Sequence, residues 1–264
     1  MFAFDEDTEL HEVRAGSFTG RVTERWSIGP VPNGGYVMAM ALQAVRRTVV
    51  EAEPVTVTAH FLRPTPPGAV DIDVDVVKAG RQFTASEARL RAGDRECLRM
   101  LVTSGRLPAQ PSILRLDREP PAHGPQAFAP LEVVDALPEI TRRFEQRPDP
   151  TCLGWMRGEQ SEHARMRAWL RFADGRAPDV PSLVLFADAM PPPVFHWVSP
   201  GWVPTLELTV HVRARPRSTW LWCDFRTHLV ANGLLEEDGE IWDETGTLVA
   251  MSRQLAALPQ NSLR

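Results

Sequence analysis

No stretch of this 264-residue chain approaches the roughly 20 consecutive apolar residues that a membrane-spanning helix needs. Its first ten residues, MFAFDEDTEL, are acidic where a signal peptide is basic. These two absences argue against a membrane partner and against export, and the expected location is the cytosol. Cysteine is scarce: Cys97, Cys152 and Cys223 are an odd number in no metal-ligand spacing, which fits reduced core thiols better than disulfides or a metal site. Clustered basic residues are missing as well. Lys and Arg total 29 against 34 Asp and Glu, for a net charge of -5, and the arginines are interspersed with acids, so a nucleic-acid groove is not expected. There is no Gly-x-Ser-x-Gly, hence no support for a serine-hydrolase elbow.

What is present reads as one unit written twice. After Pro32-Asn33-Gly34-Gly35, the residues Met38, Ala41, Leu42, Val45 and Val49 recur at helical spacing, predicting an amphipathic helix of about four turns. The period then switches to two. Val70, Ile72, Val74 and Val76 alternate with Asp71, Asp73 and Asp75, a half-buried strand flanked by strands over Val55 to Leu62, Phe83 to Leu90 and Cys97 to Thr103. A further strand is expected within Ser17 to Ile28. In the second half Met166, Ala168, Leu170 and Phe172 alternate with Arg165, Arg167, Trp169 and Arg171; Pro181 to Ala189 reads as a short apolar helix. Strands follow over Thr205 to Arg213, over Trp220 to Val230 with Leu221, Cys223, Phe225 and Leu229 on one face, and over Leu248 to Ala256.

Between the halves nine of the 24 prolines fall from Pro108 to Pro150 and the apolar periodicity fades, as in surface-hugging irregular chain, with a short helix expected near Glu139 to Gln146. The expected organisation is therefore an N-terminal unit over 1–106, a Pro-rich linker over 107–160 and a C-terminal unit over 161–264. A shift of 152 residues lays Arg63-Pro64 on Arg215-Pro216 and Ala79 on Ala231; after a one-residue slip Met100 falls on Met251. A sheet that buries one face must cover it, and each copy offers a single helix to do so.

These residues resemble the double-hotdog acyl-CoA thioesterases of the type II, TesB-like family. The likeness runs through Asn33-Gly34-Gly35, His60-Phe61-Leu62-Arg63-Pro64 and Ala79-Gly80-Arg81-Gln82-Phe83 in the first half. In the second it runs through Phe186-Ala187-Asp188, Pro204-Thr205-Leu206-Glu207 and Gly246 to Gln254. It implies an α+β double hotdog, two tandem units that each wrap an antiparallel sheet around a central helix and join edge to edge. It also implies hydrolysis of an acyl-CoA thioester to free acid and CoA, with no cofactor and no metal, and acyl-CoA as the partner. By matching position the family's catalytic Asp, Thr and Gln become Asp188, Thr205 and Gln254. Homo-oligomers are expected from the sheet edges that remain.

The chemistry of these side chains agrees with the resemblance. Thioester hydrolysis needs a base for water and stabilisation of an oxyanion, with little help for a thiolate whose pKa is roughly 8.5. Asp188 follows Leu183 to Ala187, apolar surroundings that raise a carboxyl pKa toward that of a working base. Thr205 and Gln254 each offer a donor and an acceptor to hold a water. Gly34 and Gly35 serve either to let substrate approach the backbone or only to permit a tight strand-to-helix turn. Taken singly, Asp188 also reads as a capping residue, and Thr205 and Gln254 as ordinary strand positions. Pro191-Pro192-Pro193 cannot continue a helix, so Asp188 is expected at a helix end. Two rival functions share this fold: a silent acyl-CoA-binding or regulatory module, and an enoyl-CoA hydratase, which calls for an acid-histidine pair that the chain does not display. Trp197, Trp202, Trp220 and Trp222 are candidates to floor an acyl tunnel.

Overall fold

The computed structural model describes residues 1–50, 52–109, 112–113 and 115–258. In chain order the first half contains α1 (Ala3–Asp7), β1 (Leu10–Arg14), β2 (Ser17–Val22), β3 (Ser27–Ile28), β4 (Val31–Pro32), α2 (Gly34–Thr48), β5 (Glu53–Phe61), β6 (Gly68–Ala79), β7 (Phe83–Ala92) and β8 (Arg95–Gly105). The second half contains β9 (Phe144–Pro148), β10 (Ala164–Phe172), α3 (Ser182–Phe186), β11 (Thr205–Val212), β12 (Leu221–Thr227), β13 (Val230–Ala231), β14 (Leu234–Asp243) and β15 (Leu248–Ala257). Thirteen strands form one sheet, in the order β1-β2-β6-β7-β8-β5-β11-β15-β14-β12-β10-β9, with β13 beside β14.

Read outward from its centre, this order is the same in both directions. On one side run β5, β8, β7, β6 and β2; on the other run β11, β15, β14, β12 and β10, their counterparts in sequence. The two units meet where β5 pairs antiparallel with β11, placing Val57 opposite Val210 and Ala59 opposite Leu208. Thr58 and Thr209 share a hydrogen bond of 2.9 Å across this joint, 151 residues apart in the chain. Edge-to-edge pairing removes one exposed edge from each unit. This is the double hotdog that the sequence led us to expect.

Helix α2 differs from its expected amphipathic form. Tyr36 through Leu42 are buried without a break, so all faces of its first turns are covered. Strands β5 to β8 of the first unit and α3 of the second all pack against α2. Gly35, with no Cβ, admits Val184 and Leu185 of α3.

Several local expectations change for identifiable reasons. The strand expected over Ser17 to Ile28 is interrupted by a 3-10 turn at Glu24–Trp26, which turns Trp26 into the core. The helix expected near Glu139 to Gln146 is a 3-10 turn over Glu139–Arg143 that runs directly into β9. There Phe144 and Gln146 point inward at period two and β9 completes the edge of β10, so sheet pairing overrides the helical pattern. Trp169, grouped with the arginines of the polar face of β10, is 1% exposed, because the connecting segment lies over it and His123 O accepts its indole N–H at 3.0 Å. Leu229, expected on the inner face, is 61% exposed beyond the end of β12. All three cysteines are free and buried. Among the described residues no helix is long and apolar enough to cross a membrane.

Candidate active site

The N-terminus of α2 and the end of α3 meet at the joint between the units. Asn33 caps α2: its side-chain oxygen accepts the Tyr36 N–H at 2.9 Å. Its amide nitrogen crosses to the other unit, donating to Asp188 O at 2.7 Å and to Asp188 Oδ2 at 2.9 Å. Gly35 N–H, one of the amides left without an intrahelical partner at a helix start, also donates to Oδ2, at 2.7 Å. Such closeness demands glycine. A Cβ on Gly35 would lie 2.7 Å from Val184 O and 2.8 Å from Asp188 Cβ, and one on Gly34 would lie 2.9 Å from the Phe61 ring and 3.1 Å from Asp188 Oδ2.

Asp188 lies two residues beyond α3, where Ala187 N–H bonds to Leu183 O and Asp188 N–H to Leu185 O, each at 3.0 Å, before the prolines turn the chain away. The position past the helix end therefore brings its carboxylate onto the positive end of α2. Burial pushes Asp188 up to about 6, against the lowering effect of hydrogen bonds from Gly35, Asn33 and Gly34. Desolvation prevails even though the side chain keeps a window to the cavity. Among the described residues the side-chain hydrogen bonds with a defined distance, from Asn33 and Gly35, both go to Oδ2 and none goes to Oδ1.

That window opens into a cavity of about 310 Å³ whose wall includes Asn33, Gly34, Asp188, Thr205, Glu237 and Gln254 among apolar residues such as Val37, Phe61 and Phe225. Thr205 Oγ1 donates to Gln254 Oε1 at 3.1 Å, so these two arrive as a pair at the ends of adjacent strands β11 and β15. Neither is bonded directly to Asp188; the cavity separates them. All three expected catalytic side chains are thus brought to one chamber. Of the two glycines, Gly34 is in its wall, whereas Gly35 is not and its amide is taken by Asp188.

Two further residues of the chamber carry no assignment from the sequence: Asn33, within the turn before α2, and Glu237, which stands in the acidic run Glu236-Glu237-Asp238 yet is 7% exposed. Its signal was the period-two row Leu235, Glu237, Gly239 and Ile241, whose apolar members face the core. Burial first, and then the charge of Asp188, push Glu237 well above the ordinary carboxylate range, opposed by a hydrogen bond with Gln254.

Of the four tryptophans considered for a tunnel, Trp202 lines this chamber and also a neighbouring apolar cavity of about 440 Å³ bounded by Ile140, Leu153, Trp155 and Phe195. Trp220 and Trp222 are elsewhere, packed with Trp169 and Trp242 in a separate cluster. Trp197 lines neither cavity. Among the described residues no group of three or more His, Cys, Asp or Glu is placed to hold a metal ion.

Comparison with known proteins bears on this geometry. The chain matches the profile of the acyl-CoA thioesterase N-terminal domain over residues 22–105 and that of the acyl-CoA thioesterase C-terminal domain over residues 116–258. An uncharacterized protein of Mycobacterium tuberculosis is 27% identical over 92% of this chain and 91% of its own length. Among solved structures, a protein of Thermobifida fusca assigned as a thioesterase II superposes with a TM-score of 0.92 at 27% identity, covering 98% of both chains. A protein of Alicyclobacillus acidocaldarius of unknown function, described as having a hot dog fold, gives 0.88 at 20% identity over 98% of both chains.

Proposed function

The chain belongs to the acyl-CoA thioesterase family, and on that premise we propose that it hydrolyses an acyl-CoA thioester to the free carboxylic acid and CoA, with Asp188 as the base that activates water. The observation that carries this reading is the asymmetry of the Asp188 carboxylate. Oδ2 is pinned by Asn33 and Gly35, while Oδ1 is left to a chamber that Thr205 and Gln254 also enter. A carboxyl raised to about 6 is ionised at neutral pH and still basic enough to take a proton in the transition state.

The steps balance without any further group. Asp188 takes a proton from water as the oxygen bonds to the thioester carbonyl carbon, and the carbonyl pi electrons move onto oxygen. Thr205, whose hydroxyl hydrogen is given to Gln254 Oε1, accepts from that water through its oxygen, and Gln254 donates an amide N–H to the developing oxyanion. Collapse re-forms the carbonyl, breaks the carbon–sulfur bond and expels CoA as thiolate, which takes up the proton held by Asp188. The acyl group has room in the apolar cavity past Met190 and Trp202.

The division into 1–106, 107–160 and 161–264 goes with this reading. The first unit supplies Asn33, Gly34 and Gly35 and the last supplies Asp188, Thr205 and Gln254, so neither makes the site alone. Self-association through the outer sheet edges belongs to the same proposal.

The test is thiol release over a series of acyl-CoA chain lengths, with wild type and Asp188→Asn side by side. We expect release by wild type and a loss of about 10²–10⁴-fold in the variant. Binding without release at every chain length would replace the hydrolase with a silent acyl-CoA binder.

A further inference from the structure

We propose that Glu237 is a positioning residue of this site: in its carboxylic-acid form it holds the Gln254 amide and leaves Asp188 as the single negative charge facing the substrate. The inference rests on the thioesterase reading for its kinetic consequence, though not for its placement. Glu237 stands directly opposite Gln254 in the β14–β15 register and is in the wall of the same chamber as Asp188 and Thr205.

Of three consecutive acids, it alone is turned inward. Glu236 accepts the backbone N–H groups of His228 and Leu229 at 2.8 and 3.0 Å, and Asp238 is paired with Arg253 at 2.6 Å. Glu237 forms no ion pair with any described residue. Arg63, the cation in the chamber wall, donates instead to Glu96 O at 2.8 Å in an exposed contact. The remaining charged groups around Glu237 are negative: Asp188 across the chamber, with Glu236 and Asp238 flanking it on its own strand. Its strand neighbour Gln254 and the Thr205 beyond carry no charge.

Two carboxylates with no cation between them do not both ionise in one buried chamber, and the better-solvated one keeps the charge. Asp188 has N–H donors on Oδ2 and the start of a helix behind it; Glu237 has one uncharged amide. The proton therefore belongs on Glu237. Gln254 is then held at both ends, its oxygen by the Thr205 hydroxyl and its nitrogen by Glu237, with one amide hydrogen left for the substrate. Ionising Glu237 at alkaline pH sets a second negative charge against the developing oxyanion.

The experiment is the pH profile of kcat/KM for wild type, Glu237→Gln and Glu237→Ala, together with infrared titration of the substrate-free proteins. Wild type is expected to show an acid limb from Asp188 and an alkaline limb from Glu237. Glu237→Gln should keep the acid limb and the plateau and lose the alkaline limb. Glu237→Ala, which frees Gln254, should lose about 5–150-fold in kcat with a smaller change in KM. At neutral pH a protonated-carboxyl band should be present in wild type and missing in Glu237→Gln. An alkaline limb unchanged in Glu237→Gln, wild-type kcat in Glu237→Ala, or no difference in the infrared band would overturn the proposal. Absence of thiol release by wild type on every acyl-CoA would instead defeat the thioesterase reading, and the infrared comparison would still decide where the proton lies.

Discussion

Replacing Asp188 with Asn should make the protein more stable at neutral and alkaline pH while removing its activity. Burial raises the Asp188 carboxyl from its ordinary 3.8 to about 6, so the folded state binds this proton more tightly than the unfolded chain does. The associated stability is complete below the unfolded value and is lost as pH rises through about 6, leaving the ionised folded protein with a deficit. Two pKa units correspond to about 3 kcal/mol, and cavity solvent reduces this to an expected 2–3 kcal/mol or about 5–10 °C in Tm. An Asn side chain can accept from both Gly35 N–H and the Asn33 amide, so the local geometry survives the exchange. Urea denaturation of the two proteins from pH 4 to 8 is the assay. The gain of Asp188→Asn over wild type should grow through pH 6 and level off above it. A difference that is flat with pH, or a variant that falls behind wild type as pH rises, would refute the view that this carboxylate is held ionised at a cost for the sake of catalysis.

Further outcomes follow from the groups around it. Asn33→Ala removes a hydrogen bond that lowers the Asp188 pKa, so the acid limb of the activity profile should move to higher pH; loss of the α2 cap should cost about 1 kcal/mol, read by denaturation. Gly35→Ala places a Cβ 2.7 Å from Val184 O and should push α2 and α3 apart, costing about 1–3 kcal/mol and lowering thiol release together with stability.

The position of the site explains why the fold is doubled rather than merely repeated. Asp188 sits on the second unit, but the groups that hold its carboxylate in place, Asn33 and Gly35, belong to the first. The segment between the units is more than a tether. It contributes β9 to the sheet edge, seals the tryptophan cluster through Phe128 and His123, and gives Ile140 and Trp155 to the wall of the apolar cavity.

Local pattern alone determined the elements that repeat cleanly: β6 from Val70, Ile72 and Val74, and α2 from the stripe of Met38, Ala41, Leu42 and Val45. Period is a property of neighbouring residues and survives without a partner. The order of those elements, with the resemblance of six short motifs, was enough for the double hotdog, and the same resemblance is the source of the roles proposed for Asp188, Thr205 and Gln254. The tertiary structure alone decided what depends on the far side of a contact. Burial of every face of the first turns of α2 required α3 from the other unit, and the strand at Phe144–Pro148 required the free edge of β10. The roles of Asn33 and Glu237 required a carboxylate 155 residues from the first and a glutamine directly across a strand from the second. Whether an acid in a run of three is solvated or sealed depends on where the sheet curls and what closes over it, and no local pattern carries that information.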